Sequence, residues 1–422
     1  MLTQIDYIVI AAYACVVAGL GWIAKRKIKT LDDYFAGGHK LPWWVAAISH
    51  HVSGYSAVVF VGFASRAYTA GFSMWTLFAL PTFLAMLIGA FVWAPRWARL
   101  RVSTAVEYLE YRFNNLTRQV IAWCGIGVKF IDEGVKLYAL SVVVNVCTGW
   151  PIGEVIVGTG IITILYVFFG GLWATAFTDV AQFIIQSLFV VILVPLVLGA
   201  VGGWDGLWSQ LPEESAGFFS SSIPPDFVFV FFFVVVLSYN GGTWGLAQRF
   251  YSIGKGGDAR KAALVSSVLY LIYPLAVFIP AWAGPILLDE IASPEHAYIL
   301  VAQQMLSEVA PGLMGLLVVS MFAATMSMID SDLNALAAVF TKDIYRKTFR
   351  PDSSDAHLMR VGLVSTVVLG FLTIASALIV LTNPASERAF KVTVEWFTAL
   401  LGPVTIPLLF GMLFSRTTWR GA

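Results

Sequence analysis

The sequence predicts an all-α membrane protein, and three observations support that fold class. Hydrophobic residues make up 59% of the 422 positions and charged residues only 12%, compared with roughly 45–50% and about 25% in a typical soluble protein. Long apolar runs follow one another with short polar gaps, so no soluble module is expected. The short alternating segments typical of membrane β-barrels are absent from the sequence. We therefore expect a helical bundle and assign residues 1–422 to a single transmembrane domain.

The apolar runs are interpreted as membrane spans where they reach the ~20 residues needed to cross ~30 Å of hydrocarbon. About eleven runs meet this rule. The first has no basic segment before it and no convincing cleavage site after it, so we interpret it as a retained span rather than a signal peptide. The predicted spans cover residues 5–25, 45–65, 73–95, 119–148, 152–170, 174–201, 226–246, 260–288, 312–341, 358–382 and 391–415.

Basic residues are concentrated in alternate loops, and we count Arg249 among those of the loop after the seventh span. The intervening loops, such as residues 203–225 and 289–311, contain acidic residues instead. Cytoplasmic loops of membrane proteins carry the excess of Lys and Arg. This distribution predicts an N-terminus outside and a C-terminus in the cytoplasm, in what we expect to be a bacterial inner membrane.

The composition also excludes several classes of protein. A net charge of +1 and the lack of a basic arm argue against nucleic acid as a partner. Cys15, Cys124 and Cys147 all lie inside apolar runs, so neither a disulfide framework nor a cysteine metal site is expected. The expected partners are the lipid bilayer and a small-molecule solute, and no obligate protein partner is evident.

Two spans contain glycine-centred polar patches at positions where a continuous helix would be costly. The second span contains HHVSGYS (residues 50–56), and the seventh contains SYNGGTW (residues 238–244). Close helix packing through small residues is one interpretation. However, if the first span is set aside, each patch falls in the first helix of a group of five. Broken helices at corresponding positions of inverted repeats are typical of secondary transporters.

Charged residues inside the spans are the next candidates for function. KFIDEGVK (residues 129–136) places Asp132 and Glu133 between two lysines, which favours either an internal ion-pair cluster or a binding site. Asp179 has no basic residue near it in the sequence, so we favour a role in an ion pathway. His50 and His51 are predicted either to titrate near neutral pH and contact solute or to be structural.

The stretch MFAATMSMIDSDLN (residues 321–334) is unusually polar for a membrane helix. Helical geometry places Ala324, Ser327 and Ser331 on one face, with Asp330 three residues from Ser327. Hydroxyl, carbonyl and carboxylate oxygens are the ligands that hard cations prefer. The stretch therefore predicts an alkali-cation site, and a serine-rich helix contact is the alternative.

Four motifs occur in order along the chain: DDYFAGGHKLPWW (residues 32–44), GGLWATAFTD (170–179), AQRF (247–250) and AATMSMIDSDLNALAAVFTKDIY (323–345). Together they resemble the sodium:solute symporter family. The resemblance implies a leucine-transporter-type fold of two inverted five-helix repeats, residues 41–202 and 226–416, with residues 5–25 as an extra N-terminal helix. It also implies solute uptake driven by sodium through alternating access.

The resemblance also implies a set of ligands for Na⁺. Backbone carbonyls near Val52 and Tyr55 would meet the carbonyl of Ala324 and the hydroxyl of Ser327. Met328 stands where family members commonly have a second Ser or Thr. The site is then incomplete, completed by water, or rearranged to use Asp179 or Asp330.

We expect the solute to be a sugar or polyol. Hydroxyl, amide and aromatic groups suit an uncharged solute, and Asp132 and Glu133 occupy the region where sialic-acid carriers of the family offer an Arg. The predicted solute-binding residues are Ser53, Ser56, Trp75, Thr76, Asn240, Thr243, Trp244, Asp132 and Glu133.

Three other interpretations are compatible with parts of the sequence. A proton-coupled or sodium-independent carrier of the same fold would use Asp179, Asp330 or the histidines. A membrane-embedded solute sensor is an alternative from a different class. An enzyme has the least support, because no nucleophile lies at a recognisable spacing from a base.

Overall fold

The computed structural model describes residues 2–307, 309–382 and 401–421. These residues form helices joined by short turns, and the described part of the chain contains no β-sheet. The all-α prediction is therefore confirmed. The helices are α1 (Gln4–Lys25), α2 (Leu31–Ala36), α3 (Trp43–Val52), α4 (Ala64–Ala70), α5 (Ser73–Val92), α6 (Ala94–Leu100), α7 (Tyr108–Arg112), α8 (Asn115–Thr148), α9 (Ile152–Val201), α10 (Gly203–Ser209), α11 (Pro225–Leu237), α12 (Trp244–Tyr251), α13 (Gly256–Leu287), α14 (Ala297–Leu306), α15 (Leu313–Ala338), α16 (Asp355–Leu381) and α17 (Leu401–Phe410).

The predicted spans can be compared with these helices. Seven described helices are long and apolar enough to cross a membrane, and an eighth span is formed if α8 and the first part of α9, bent by 119°, count as one. The second predicted span is divided between α3 and α4, which are too short individually. The last predicted span corresponds partly to α17, and its first residues, 391–400, lie outside the described residues.

The fifth and sixth predicted spans form the two arms of α9, which bends sharply at Gly171. Gly171 has φ +55° and ψ −177°, a conformation that other residues avoid because of their Cβ atom. A Cβ at this position would also lie 2.7 Å from the ring of Tyr34. The helix has 50 residues, and a straight helix of that length would be roughly 75 Å long, more than twice the hydrocarbon thickness. The bend separates the second arm, Gly171–Val201, which is long and apolar enough to be a span by itself.

Both predicted helix breaks are present. Helix α3 ends at Val52, and residues 53–56 are not helical before a short π-helical segment, Val59–Phe63, leads into α4. Helix α11 ends in a π-helical turn, Ser238–Gly242, and Thr243 is extended, with φ −84° and ψ +102°, before α12 begins. Backbone groups at these positions leave the regular helical hydrogen-bond ladder and become available to ligands.

Helix α15 lies at the centre of the bundle and α1 at its edge. In their most apolar windows, 72% of α15 is buried and only 17% of α1. The two helices approach closely, because the N–H of Gly315 donates to Asp6 Oδ1 at 2.7 Å and a Cβ on Gly315 would lie 2.5 Å from the Asp6 carbonyl oxygen. The polar stretch of α15 is thus enclosed by protein and does not face lipid.

Candidate cation and solute sites

A buried polar cluster lies between the broken second span and the centre of α15. Its members are at most 1% exposed, and they come from α3, the second-span break, α9, α12 and α15. We call this group the cation cluster. It comprises Ser49, Ser53, Asp179, Arg249, Ser327, Asp330 and Ser331.

Asp179 accepts hydrogen bonds from three other members of the cation cluster. Ser327 Oγ donates to its Oδ1 at 2.5 Å, and Ser49 Oγ donates to its Oδ2. Arg249 Nη2 lies 3.0 Å from the same Oδ2 and forms an ion pair with it. Asp179 has no basic residue near it in the sequence, but it is paired with one in the fold. The fold supplies an arginine that lies 70 residues away in the sequence.

Arg249 is fully buried rather than part of a loop, which corrects its place among the basic loop residues. Its Nε donates to Ser49 at 2.7 Å, and its Nη1 donates to the carbonyl of Gly245 at 3.3 Å. Its Nη2 donates to Ser53 at 3.3 Å and also to Ser331. The guanidinium therefore contacts oxygens of α3, α9, α12 and α15 and acts as a tethered internal cation.

The hydrogen bonds of Asp330 indicate whether the cation cluster can accommodate an added cation. Ser331 Oγ donates to its Oδ1 at 3.1 Å, but no described residue forms a hydrogen bond with its Oδ2, although that atom is buried. A buried carboxylate oxygen without a partner is costly. Together with the hydroxyls of Ser53 and Ser327, it provides the hard oxygen ligands that suit Na⁺, so the side chains present fit that ion.

The predicted backbone ligands lie at the second-span break. The carbonyl of Val52 accepts a hydrogen bond from the N–H of Tyr55 at 3.0 Å, and the Tyr55 ring stacks on Tyr270. Ala324 is fully buried one residue before Thr325, whose Oγ1 accepts from the N–H of Ala57 at 2.9 Å. The break is therefore tied directly to the polar stretch of α15.

A cavity of about 70 Å³ lies between the two broken spans. Most of its wall is apolar, from the side chains of α5, α11 and the π-helical segment of the second span, and Met328 lines it as well. Met328 thus contacts the space next to the cation cluster, at the position where family members commonly offer a hydroxyl. The polar residues of the wall are Ser56, Asp132, Lys136, Ser238, Tyr239 and Thr243.

The structure divides the predicted solute-binding residues into two groups. Ser56, Thr243 and Asp132 line the cavity, whereas the other six do not. Ser53 belongs to the cation cluster, and Trp75 Nε1 donates to the carbonyl of Leu271 at 3.2 Å. The six predicted solute-binding residues that do not line the cavity are Ser53, Trp75, Thr76, Asn240, Trp244 and Glu133.

Three of the six have their own packing or hydrogen bonds elsewhere in the bundle. Asn240 Nδ2 donates to the carbonyls of Ala85 and Val236 at 3.2 and 3.0 Å. Trp244 is 1% exposed and packs so closely on Gly125 that a Cβ there would lie 2.4 Å from the indole. Thr76 is also buried, at 1% exposure.

Four charged residues in the middle of α8 form a second buried group with Asp332 of α15, which we call the charge network. Lys129 and Lys136 both approach Asp332 Oδ2 at 3.2 Å, and both approach Asp132 Oδ2, at 3.3 and 3.0 Å. Lys136 also lies 2.5 Å from Glu133 Oε1. The network therefore links α8 to α15, and Asp132 and Lys136 present part of it to the cavity. Its members are Lys129, Asp132, Glu133, Lys136 and Asp332.

His50 and His51 are enclosed by aromatic rings and do not line the cavity. The hydroxyl of Tyr270 donates to the carbonyl of His50 at 2.7 Å, and the His50 ring packs 4.8 Å from that of Phe250. His51 packs against Tyr55 and Tyr270, with 4.8 Å between ring centroids in both cases. This environment favours the structural interpretation of both histidines.

Sequence reasoning did not identify Arg249 or Asp332 as site residues. The signal for Arg249 was its position in AQRF, close after the broken seventh span, where a charged residue is still within reach of the membrane. The signal for Asp332 was its position as a second carboxylate in the same helix, two residues after Asp330. Neither partner could be assigned, because both pair with residues far away in the sequence.

Comparisons with known proteins agree with this architecture. A sodium/glucose cotransporter from Vibrio parahaemolyticus is 27% identical over 455 residues, covering 100% of this chain and 83% of its own length. A sodium/sialic acid symporter from Aliivibrio fischeri is 27% identical over 444 residues, covering 99% of this chain and 85% of its own. These relatives are transporters and not enzymes.

Solved structures support the same fold. A Na⁺-coupled sialic acid symporter in a substrate-bound outward-open state superposes with a TM-score of 0.83 at 21% identity, covering 98% of this chain and 86% of that one. A nucleobase-cation-symport-1 family transporter superposes with a TM-score of 0.62 at 14% identity, covering 89% and 79%. The leucine-transporter-type fold predicted from the sequence is thereby confirmed. The profile of the sodium:solute symporter family matches residues 34–422, and the chain therefore belongs to this family of multi-pass membrane transporters, whose coupling ion is Na⁺.

Proposed function

We propose that this protein is a symporter that uses a sodium gradient to import a small uncharged polar solute, with a sugar or polyol favoured. The observation that carries the proposal is the cavity between the two broken spans. Its hydroxyls, together with the carboxylate of Asp132, can accept and donate hydrogen bonds to solute hydroxyl groups. The apolar side chains around them suit the C–H faces of a small ring.

The charge network argues against an anionic solute. Lys136 is the basic residue of the cavity wall, and its ammonium group already contacts Asp132, Glu133 and Asp332. An incoming carboxylate would have to displace one of these partners and would approach three negative groups. A neutral solute neither displaces a partner of Lys136 nor is repelled by the carboxylates, so the same wall favours it.

The relatives include transporters of both kinds of solute. The Vibrio protein is named for glucose and a pig relative for myo-inositol, the latter 27% identical over 457 residues that cover 99% of this chain. The Aliivibrio protein is named for sialic acid. In this chain Lys129 and Lys136 are already paired with carboxylates, and this feature favours a neutral solute over sialic acid.

We place Na⁺ in the cation cluster. Ser327, Ser53, Asp179 and Asp330 would hold the ion, with the carbonyls of Val52, Tyr55 and Ala324 as backbone ligands, and the ion would supply one positive charge. In this structure Arg249 already contacts several of the same side chains, so its guanidinium must turn away from Asp179 before another cation can use that carboxylate. Ion binding would then favour a state in which α12 has moved relative to α9, because a ligand shifts a conformational equilibrium only through differential binding.

The repeats and the orientation complete the proposal. Residues 41–202 and 226–416 would form the two inverted repeats, and their relative movement would open the cavity to each side in turn. The distribution of basic residues favours an N-terminus outside and a C-terminus in the cytoplasm, and we propose this orientation in a bacterial inner membrane.

Uptake by the purified protein in vesicles tests the proposal. We expect labelled glucose or myo-inositol to accumulate under an inward sodium gradient and not under a matched potassium gradient. Sialic acid, offered in the same assay, is expected not to accumulate. Uptake driven equally well without sodium would contradict the coupling, and accumulation of sialic acid instead of the neutral solutes would contradict the solute class.

A further inference from the structure

Glu133 carries a buried oxygen that the charge network leaves without a partner. The residue is 0% exposed, and its Oε1 is paired with Lys136. Its Oε2 is also buried, and no described residue forms a hydrogen bond with it. The carboxylate of Asp332 is a candidate partner, because an oxygen of that group lies within 4.8 Å of an oxygen of Glu133. Two carboxylates can form such a bond only if one of them carries a proton.

A charge count leads to the same conclusion independently. The network contains three carboxylates and two ammonium groups, all at most 8% exposed. If every group were ionised, one negative charge would remain uncompensated inside the bundle, which is costly in a low-dielectric environment. One added positive charge is therefore required for neutrality.

A metal ion is a poor source of that charge. The three carboxyl groups each offer an oxygen, and these oxygens lie within 4.8 Å of one another. However, the ammonium groups of Lys129 and Lys136 lie 3.0–3.3 Å from the oxygens of Asp132 and Asp332. A divalent ion at the same oxygens would be repelled by two ammonium groups at close range. A proton avoids this repulsion, because it can reside on the Glu133 oxygen that neither lysine contacts.

We infer that Glu133 is a proton-binding site, with the proton on Oε2 donated to the carboxylate of Asp332. The proton comes from water and binds to a carboxylate lone pair, so no other bond is broken. One proton supplies both the partner that Oε2 lacks and the charge that the network lacks.

The site is placed where protonation can influence transport. Asp332 Oδ1 accepts the N–H of Gly245, at the first turn of α12, at 3.0 Å. Lys129 donates to Thr243, the extended residue of the seventh-span break, at 3.4 Å. Loss of the proton would place an unpaired charge on Glu133 beside Asp332, and would thereby disturb the contact that holds the broken helix next to the cavity.

The groups that face Glu133 are few and can be separated by mutation. On α8 they are Lys129, Asp132 and Lys136, and on α15 the group is Asp332. Tyr239, on the seventh-span break, uses its hydroxyl to donate to the carbonyl of Gly54 at 3.1 Å. Helix α16 packs on the neighbouring Gly134 through Ser376 and Ala377, which do not titrate.

The test is the pH dependence of thermal unfolding of the full-length protein, without solute, in wild type and Glu133→Gln. The amide of Gln keeps the shape of a protonated Glu and a permanent donor toward Asp332. Glu133 keeps its proton in the folded protein at a pH where the unfolded chain has lost it, so the wild-type unfolding temperature should fall as pH rises above about 4.3, the ordinary pKa of Glu. Glu133→Gln should show a clearly smaller fall over the same range.

Two further variants sharpen the test. Glu154→Gln, at an exposed carboxylate on α9, should keep the wild-type pH profile. Asp332→Asn removes one carboxylate, balances the network without a proton, and should flatten the profile as Glu133→Gln does. A folded Glu133→Gln or Asp332→Asn protein with the full wild-type pH dependence would overturn the inference.

A third measurement requires no variant. The wild-type protein should show infrared absorption from a protonated carboxyl group at a pH where exposed carboxyl groups are already ionised. A wild-type spectrum without such absorption at any pH would also overturn the inference. None of these measurements depends on solute or sodium, so their outcome is independent of the proposed transport function.

Discussion

Ser327 and Ser331 have different roles in the cation cluster, although they share one face of α15. The hydroxyl of Ser327 donates directly to Asp179. The hydroxyl of Ser331 instead donates to the carbonyl of Ser327 at 2.5 Å and contacts Arg249 and Asp330. A change at Ser327 therefore alters the proposed ion ligands themselves, whereas a change at Ser331 alters their surroundings.

Ser327→Ala should weaken sodium activation more than Ser331→Ala. Loss of one hydroxyl ligand at about 1 kcal/mol corresponds to roughly a fivefold rise in the sodium concentration for half-maximal uptake. Sodium titrations of solute uptake in vesicles measure this directly. An equal or larger shift for Ser331→Ala would show that the assignment of Ser327 as the ligand is wrong.

Arg249→Gln tests the role of the guanidinium as an internal cation. Removal of one partner from a buried ion pair costs about 3–5 kcal/mol, so we expect a lower unfolding temperature for the purified protein. Sodium should restore part of that loss, because an added cation can compensate Asp179 in place of the arginine. Stability of wild type should depend less on sodium.

The matched control is Lys261→Gln, at a side chain that is 62% exposed. This change should alter neither the unfolding temperature nor its sodium dependence. If the stability of Arg249→Gln depends on sodium no more than that of wild type, the exchange between guanidinium and sodium is refuted.

At the level of elements, local sequence predicted the broken helices but not their partners. Glycine beside polar residues in HHVSGYS and SYNGGTW is a local signal, and both breaks occur there. The burial of Arg249 could not be predicted in the same way. Its ion pair joins α12 to α9, and such a contact depends on tertiary packing rather than on any local pattern. The lining of the proposed solute cavity was predicted only in part for the same reason, since Ser56 and Thr243 line the cavity but Trp75 and Asn240 pack elsewhere.

Helix packing provides a prediction with an internal control on α8. A Cβ on Gly134 would lie 2.5 Å from Ser376 Cβ and 2.9 Å from the backbone nitrogen of Ala377, whereas a Cβ on Gly127 would meet nothing within 4 Å. Gly134→Ala should therefore separate α8 from α16 and destabilise the protein by about 1–3 kcal/mol. Gly127→Ala should be neutral or slightly stabilising, because Ala favours helix.

Thermal or denaturant unfolding of the two variants measures the difference. Equal unfolding temperatures for Gly134→Ala and Gly127→Ala would mean that α8 and α16 are not in close contact in the protein.

At the level of the whole molecule, the basic loops predict the orientation in the membrane, and labelling can test it. We propose single cysteines at Ser221 and Lys255, both exposed, in a background without the three native cysteines. A thiol reagent that cannot cross membranes should label Ser221→Cys in intact cells and label Lys255→Cys only after the cells are opened. The reverse pattern would contradict the predicted orientation.

The ion pair between Asp179 and Arg249 has a consequence for biogenesis. A membrane protein is made from its N-terminus, so Asp179 is synthesised 70 residues before the arginine that neutralises it. A charged side chain within a membrane span is costly while it has no partner, and this cost persists until Arg249 is synthesised. The pairing therefore makes completion of the first half depend on synthesis of the second. A nascent chain that stops before Arg249 retains an unpaired carboxylate, a feature by which quality control could distinguish it from a finished transporter.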